Sequence, residues 1–168
     1  QIVVVGGVRR SAMISLSNLS DDRMRHAKSG QWWETAPHRA LANNSVSYTE
    51  KPDIETFMRE WTALVESKSG ERGIFNREAS KAQAAKYGRR DPDWQFGTNP
   101  CSEIILRPYQ FCNLTEVVVR ATDTVKDLER KVKIATILGT IQSSYTKFPY
   151  LRKVWQRNTE EERLLGVS

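Results

Sequence analysis

Asn99, Cys101 and Glu103 set an amide, a thiol and a carboxylate on alternate residues, and a second thiol, Cys112, follows eleven positions after the first. In extended backbone alternate side chains share a face, so the three groups are expected on one side of the chain. An amide can orient a partner, a thiol can react and a carboxylate can move a proton, which together make a compact catalytic set. These are the only two cysteines in 168 residues. Taken alone, two such thiols are more often small buried hydrophobes than reagents, so the residues around them decide the reading.

The elements that position this stretch can be read from periodicity. Gln1-Ile2-Val3-Val4-Val5 is an apolar, β-branched run expected to form a buried strand ended by Gly6-Gly7, and residues 12–17 read as a second strand. Residues 21–28 suggest a short helix behind a Ser20 cap. Ile54, Phe57, Met58, Trp61, Leu64 and Val65 recur at helical spacing after Pro52-Asp53, which predicts an amphipathic helix with that stripe in the core. Asn76 is placed to cap a further helix through Lys86, before a long loop containing Asp91-Pro92-Asp93. Residues 103–106 and 114–120 read as strands joined through Arg107-Pro108-Tyr109-Gln110. From Thr124 a long helix carries Val125, Leu128, Val132, Ile134, Ala135, Ile137, Leu138 and Ile141 on more than one face, so its later half is expected to be buried. Residues 148–156 suggest another helix, and Thr159-x-x-Glu162 has the form of a capping box opening one more. Strands alternating with helices predict an α/β architecture with many parallel strands.

Composition bounds the function. With 39% hydrophobic residues the chain can bury a moderate core and does not have a disordered composition. No run approaches the roughly 20 apolar residues of a membrane span, and no signal peptide opens the sequence, so a reducing, cytoplasmic setting is expected. A zinc site needs about four ligands, whereas His26 and His38 belong to no close Cys/His cluster. The net charge of +6, from 26 basic and 20 acidic side chains, favours anionic partners. Basic pairs such as Arg9-Arg10 and Arg89-Arg90 are interspersed with acids rather than gathered in a stripe, which argues against a dedicated nucleic-acid module.

Several stretches, in order, carry a family resemblance: Gly6-Gly7-Val8-Arg9-Arg10-Ser11-Ala12, Ala42-Asn43-Asn44-Ser45-Val46, Gly70-Glu71-Arg72-Gly73-Ile74-Phe75-Asn76-Arg77, Gly97-Thr98-Asn99-Pro100-Cys101-Ser102-Glu103-Ile104-Ile105-Leu106, Phe111-Cys112-Asn113-Leu114-Thr115-Glu116 and Asn158-Thr159-Glu160-Glu161-Glu162-Arg163. Together they resemble the ribonucleotide reductases. Pro100 before Cys101 and the short interval to Cys112 look like the adenosylcobalamin-dependent class, especially its monomeric form acting on ribonucleoside triphosphates.

What the resemblance implies is a ten-stranded α/β barrel with the reactive cysteine on a loop threaded into its centre. Residues 1–168 would supply only the central portion of that one catalytic domain: strand, specificity loop and strand over 1–17, and the cysteine loop with its strands over 99–120. By motif match Cys101 would be the thiyl radical, Glu103 the base for the substrate 3′-hydroxyl, Asn99 the orienting amide, and Cys112 one half of the reducing dithiol. Gly6, Gly7, Val8, Arg9, Arg10 and Ser11 would form the specificity loop between a ribonucleotide substrate and a deoxynucleotide effector.

The second reducing cysteine, the phosphate-binding loop and most adenosylcobalamin contacts are expected outside this chain, as is the thioredoxin-like dithiol that restores the thiols. The sequence opens without Met inside an apolar run and ends within the helix expected from Thr159, which fits a portion that is ordered beside other chains completing the barrel and inactive alone. Two alternatives stand beside this reading: a reductase whose radical comes from a separate metal-containing subunit, and a non-catalytic basic interaction module.

Overall fold

A computed structural model describes residues 13–168. The strand expected over residues 1–5 and the loop over residues 6–11 lie outside the described residues. The chain divides into two compact units, Gln1–Asp93 and Trp94–Ser168.

In the first unit, strands β1 (Ile14–Ser17), β2 (Asn43–Tyr48) and β3 (Gly73–Asn76) form a parallel sheet in the order β1-β2-β3, with Ile14 opposite Asn43 and Ser45 opposite Gly73. Parallel neighbours need crossovers, as the alternating pattern of the sequence requires. Helices α1 (Asp22–Arg25) and α2 (Trp32–Thr35) with a tight turn of helix over Pro37–Leu41 join β1 to β2, and α3 (Ile54–Ser67) joins β2 to β3. The middle strand buries Asn44, Val46, Ser47 and Tyr48, the pattern of a strand covered on both faces. Gly73 is required by close approach, since a Cβ there would lie 2.8 Å from Ser45 Oγ. Helix α4 (Arg77–Tyr87) follows β3 directly, capped by Asn76, whose side chain accepts the Ala79 N–H at 2.9 Å.

Two expectations change here. The cap of α1 is Asp21, which accepts the Met24 N–H at 3.0 Å, rather than Ser20. Asp53 does cap α3, but the face turned inward is not the apolar stripe. Ile54, Met58, Trp61 and Val65 are exposed, while Glu60 and Ala63 are buried. A buried carboxylate must be paired, and Glu60 meets Arg25 Nε at 2.5 Å and Arg72 Nε at 3.3 Å. Arg72 in turn donates to the Asn18 and Asp21 carbonyls at 2.9 and 3.0 Å, so the chain leaving β1 is bound to the start of β3. Burial pushes the Arg72 guanidinium below the usual arginine range, and Glu60 opposes that shift. Burial likewise raises the Tyr48 phenol, with Glu60 adding to it. Glu71 joins the stretch around Asn44 to β3: it accepts the Asn44 N–H at 2.9 Å and pairs with Lys28 at 2.8 Å.

In the second unit, β4 (Gly97–Thr98) and β5 (Ile105–Leu106) pair antiparallel, and β6 (Leu114–Thr115) pairs in parallel with β7 (Gly166–Val167). Between β6 and β7 run α5 (Val125–Ser143) and α6 (Lys153–Glu162). The strands are shorter than the expected 103–106 and 114–120. Thr124 opens α5 with a capping box shared with Asp127.

The buried positions of α5 are Ala135, Gly139 and Ser143, small residues four apart, and a Cβ on Gly139 would lie within 3.5 Å of Leu165 and Thr115. That small stripe lets the helix lie close to β6 and β7, while Ile134, Ile137, Leu138 and Ile141 are exposed, contrary to the expected burial of the later half. The Thr159 capping box does not form. Thr159 is a buried residue inside α6 whose hydroxyl donates to the Trp155 carbonyl at 2.9 Å, and a single helix starting at Lys153 replaces the two expected. No helix among the described residues is long and apolar enough to cross a membrane.

Candidate active site

The cysteine stretch is a hairpin tip, not an extended strand. Thr98 pairs with Ile105, so residues 99–104 form the connection, and Ser102 takes a left-handed conformation at φ 67°. Asn99 closes this loop. Its carbonyl accepts the Ser102 N–H at 3.0 Å, and its side-chain oxygen accepts the Ile104 N–H at 3.1 Å. The Thr98 hydroxyl donates to the Ile104 carbonyl at 3.0 Å across the base of the loop.

Because the Asn99 oxygen is taken by a backbone donor, its NH₂ is turned toward Glu103, and it donates to that carboxylate. Asn99 is 4% exposed, Glu103 is half-buried and Cys101 is exposed and free of any disulfide. Phe96 and Ile104, both buried, anchor the two arms beneath the tip. The loop therefore presents a thiol to its surroundings beside a carboxylate whose orientation is fixed by a buried amide. A thiol in that setting is accessible to a reagent, and the carboxylate is preoriented to accept a proton.

The sequence is similar to known enzymes over nearly its whole length. Over 176 residues, 99% of this chain, it is 39% identical to the adenosylcobalamin-dependent ribonucleoside-triphosphate reductase of Lacticaseibacillus paracasei. The enzyme of the same name from Levilactobacillus brevis is 34% identical over 176 residues, and that from Lactobacillus delbrueckii subsp. bulgaricus 30% over 178. The chain aligns with a segment of these reductases. It spans 22% of the length of these relatives. No protein-family model and no solved structure matches it.

Asn99 and Glu103 meet by reversal of the chain rather than by strand alternation, with Cys101 exposed between them in sequence at the tip. Cys112 is also exposed and forms no disulfide, and lies just before β6 on the other side of the turn at Arg107-Pro108-Tyr109-Gln110. Gly6, Gly7, Val8, Arg9, Arg10 and Ser11 lie outside the described residues. Among the described residues no group of three or more His, Cys, Asp or Glu side chains is placed to hold a metal ion.

The sequence places Arg107 and Gln110 only in a connecting turn, Asn158 only in a family-like stretch, and Glu162 in that stretch and in a capping box that does not form. Yet Arg107 is buried and donates to Asn158 Oδ1 at 2.8 Å, with Glu162 3.5 Å away. The available signal was the spacing of Asn158 and Glu162, four apart and hence on one face of a helix.

Gly166 completes the support. A Cβ there would come within 2.6 Å of Ile104 and 3.0 Å of Leu114, so β7 can lie against the cysteine hairpin only with glycine at this position.

Proposed function

We propose that this chain supplies the radical-bearing hairpin of a ribonucleoside-triphosphate reductase that makes 2′-deoxyribonucleotides for DNA synthesis. The supporting observation is the Asn99–Glu103 hydrogen bond at the foot of a loop whose tip exposes Cys101.

The Cys101 thiyl radical takes the hydrogen atom from C3′ of the ribose, becoming a thiol. Glu103 accepts the 3′-hydroxyl proton, and the 2′-hydroxyl leaves as water after protonation by the reducing dithiol. Cys112 and a second enzyme thiol, carried outside this chain, deliver a hydrogen to C2′ and, giving up two electrons in all, close to a disulfide while Glu103 returns its proton to the 3′-oxygen. Cys101 then returns its hydrogen atom to C3′. The sum is ribonucleotide plus two thiols giving deoxyribonucleotide, a disulfide and water. A dithiol protein of the thioredoxin type reduces the disulfide for the next turnover.

The residues described fit adenosylcobalamin at one point, the exposed and unbridged Cys101 thiol. When bound, the cofactor would supply the one-electron oxidant that takes the hydrogen atom from that thiol. Asn99 and Glu103 then hold and deprotonate the substrate, and the buried Phe96 and Ile104 beneath the loop give it a firm, apolar base.

The wider reading includes the ten-stranded barrel, with the hairpin as its central loop, in a cytoplasmic enzyme. The exposed apolar residues Ile134, Ile137, Leu138 and Ile141 of α5 support further chain packing on this segment. Residues 6–11 serve as the specificity loop, with Arg9 and Arg10 offering phosphate or base-edge contacts between substrate and deoxynucleotide effector. The test uses the complete enzyme containing this segment with adenosylcobalamin, a ribonucleoside triphosphate and dithiothreitol. Equimolar deoxynucleotide and oxidised dithiol are expected, and their absence with a folded, cofactor-loaded enzyme contradicts the reading.

A further inference from the structure

Among the described residues, one face of α6 holds the turn between the two cysteines. Arg107 leaves β5 with its guanidinium 7% exposed, donating to Asn158 Oδ1 at 2.8 Å and to Glu161, with Glu162 at 3.5 Å. The same guanidinium lies over the Trp94 ring, 5.1 Å from its centroid. Asn158 also grips the backbone, donating from Nδ2 to the carbonyls of Pro108 at 2.9 Å and Tyr109 at 3.0 Å. Gln110 closes the circuit: its side-chain oxygen accepts the Arg107 N–H at 2.8 Å, and its NH₂ donates to Glu162. Phe111, next to Cys112, packs on Phe148 and Trp155 at ring-centroid distances of 4.7 and 4.8 Å.

A buried ion cluster is a poor way to gain stability, because the charges lose their water and an apolar contact of the same shape does as well. What such a cluster does provide is direction. A planar guanidinium gripped by an amide and carboxylates has one favourable orientation, and an amide gripping two successive carbonyls fixes the backbone between them.

We propose that Arg107, Asn158, Glu162 and Gln110 are positioning residues that set the path of the chain between Cys101 and Cys112, and so couple the radical step at the first thiol to the dithiol step at the second. This rests on the roles given to the two cysteines above. Loosening the turn leaves the hairpin and its Asn99–Glu103 bond in place, because those contacts lie within residues 98–104. It frees the Cys112 side. A displacement of about 1 Å between reacting groups is enough to cost about 10²-fold in rate.

The experiment compares wild type with Gln110→Ala, which leaves no buried charge unpaired, and with Arg107→Gln/Glu162→Gln, which removes both charges of one pair together. All are made in the complete enzyme and checked for folding by circular dichroism. Two readouts are taken: adenosylcobalamin-dependent hydrogen exchange with solvent, reporting the Cys101 step, and single-turnover deoxynucleotide formation by prereduced enzyme without external dithiol, reporting the Cys112 step.

In a folded variant, exchange stays near wild type and KM for the nucleotide is unchanged, while the single-turnover rate falls by about 10²-fold; Arg107→Lys, which keeps the charge, recovers part of the loss. Equal falls in both readouts, or no fall in either, overturn the positioning role. Wild-type enzyme that forms deoxynucleotide without any Cys101-dependent exchange instead overturns the cysteine assignment beneath it, and the proposal with it. If the double variant does not fold, Gln110→Ala alone decides by the same two outcomes.

Discussion

Asn99 and Glu103 are joined side chain to side chain across the tip of the hairpin, and the Asn99 oxygen is at the same time bound to the Ile104 N–H at 3.1 Å. One buried amide thus closes the loop and aims the carboxylate that lies beside Cys101. The two functions can be separated by substitution.

Asn99→Asp keeps an acceptor for the Ile104 N–H but replaces the donor to Glu103 with a second carboxylate. The hairpin is expected to survive while turnover of the complete enzyme falls at least as far as it does on losing a general base. Asn99→Ala loses both contacts and leaves the buried Ile104 N–H unpaired, at a cost of about 1–3 kcal/mol. Thermal unfolding together with turnover checks both variants; an Asn99→Asp enzyme with wild-type turnover removes the orienting role.

Glu103→Gln preserves shape and keeps an acceptor for Asn99 while removing the base. Turnover is expected to fall by about 10²–10⁴-fold, with little change in KM. Steady-state kinetics with a ribonucleoside triphosphate read this directly, and a variant with near-wild-type turnover takes Glu103 out of the mechanism.

Glu60 is the hub of the first unit, paired with Arg25 and Arg72 and 4% exposed. Glu60→Ala leaves two buried guanidiniums without their carboxylate, a loss on the order of 3–5 kcal/mol. Amide exchange of β1 and β3 in the complete enzyme is expected to accelerate. Unchanged protection of both strands contradicts the assigned role of the cluster.

The start of α5 is acid-sensitive. Hydrogen bonds from the Thr124 side chain and then its backbone hold the Asp127 carboxyl below the usual range, and Lys131 does the same for Asp123. A carboxylate with a depressed folded value stabilises fully above its unfolded value of about 3.9 and loses that contribution as pH falls through the folded one. Amide exchange in the first turn of α5, taken relative to the intrinsic rate of the unfolded chain at the same pH, should therefore stay constant at neutral pH and rise as pH drops below about 4. Asp127→Asn is expected to flatten most of that rise; an unaltered profile contradicts the cap.

Much of this arrangement was legible in the sequence, and the parts that were not have physical reasons. The cap at Asn76 was visible, as were the starts of the helices after Asp53 and from Thr124, because a capping side chain acts on its own next few residues. The pairing of Asn99 with Glu103 was visible too, but not its cause: alternation implied a strand, whereas Asn99 bonds the loop into a turn. Periodicity found α3 and named the wrong inward face, because two arginines far away in sequence make burial of Glu60 favourable. Thr159-x-x-Glu162 has the residues of a capping box, but Asn158 and Glu162 are engaged instead by the Arg107 turn, and the helix runs through them. In α3 and α6 partners 12 to 52 residues away in sequence overrode a local signal, whereas the cysteine loop is turned by contacts only four and five residues apart.

The most direct measurement of the central claim is electron paramagnetic resonance of the complete enzyme, frozen within one turnover after mixing with adenosylcobalamin and nucleotide. The account predicts a signal from a sulfur radical coupled to cobalt in wild type and in Cys112→Ser, and none in Cys101→Ser. Cys112→Ser should keep the radical yet fail at multiple turnover with external dithiol. The same coupled signal in Cys101→Ser, or its loss in both variants alike, would contradict the division of labour between the two thiols.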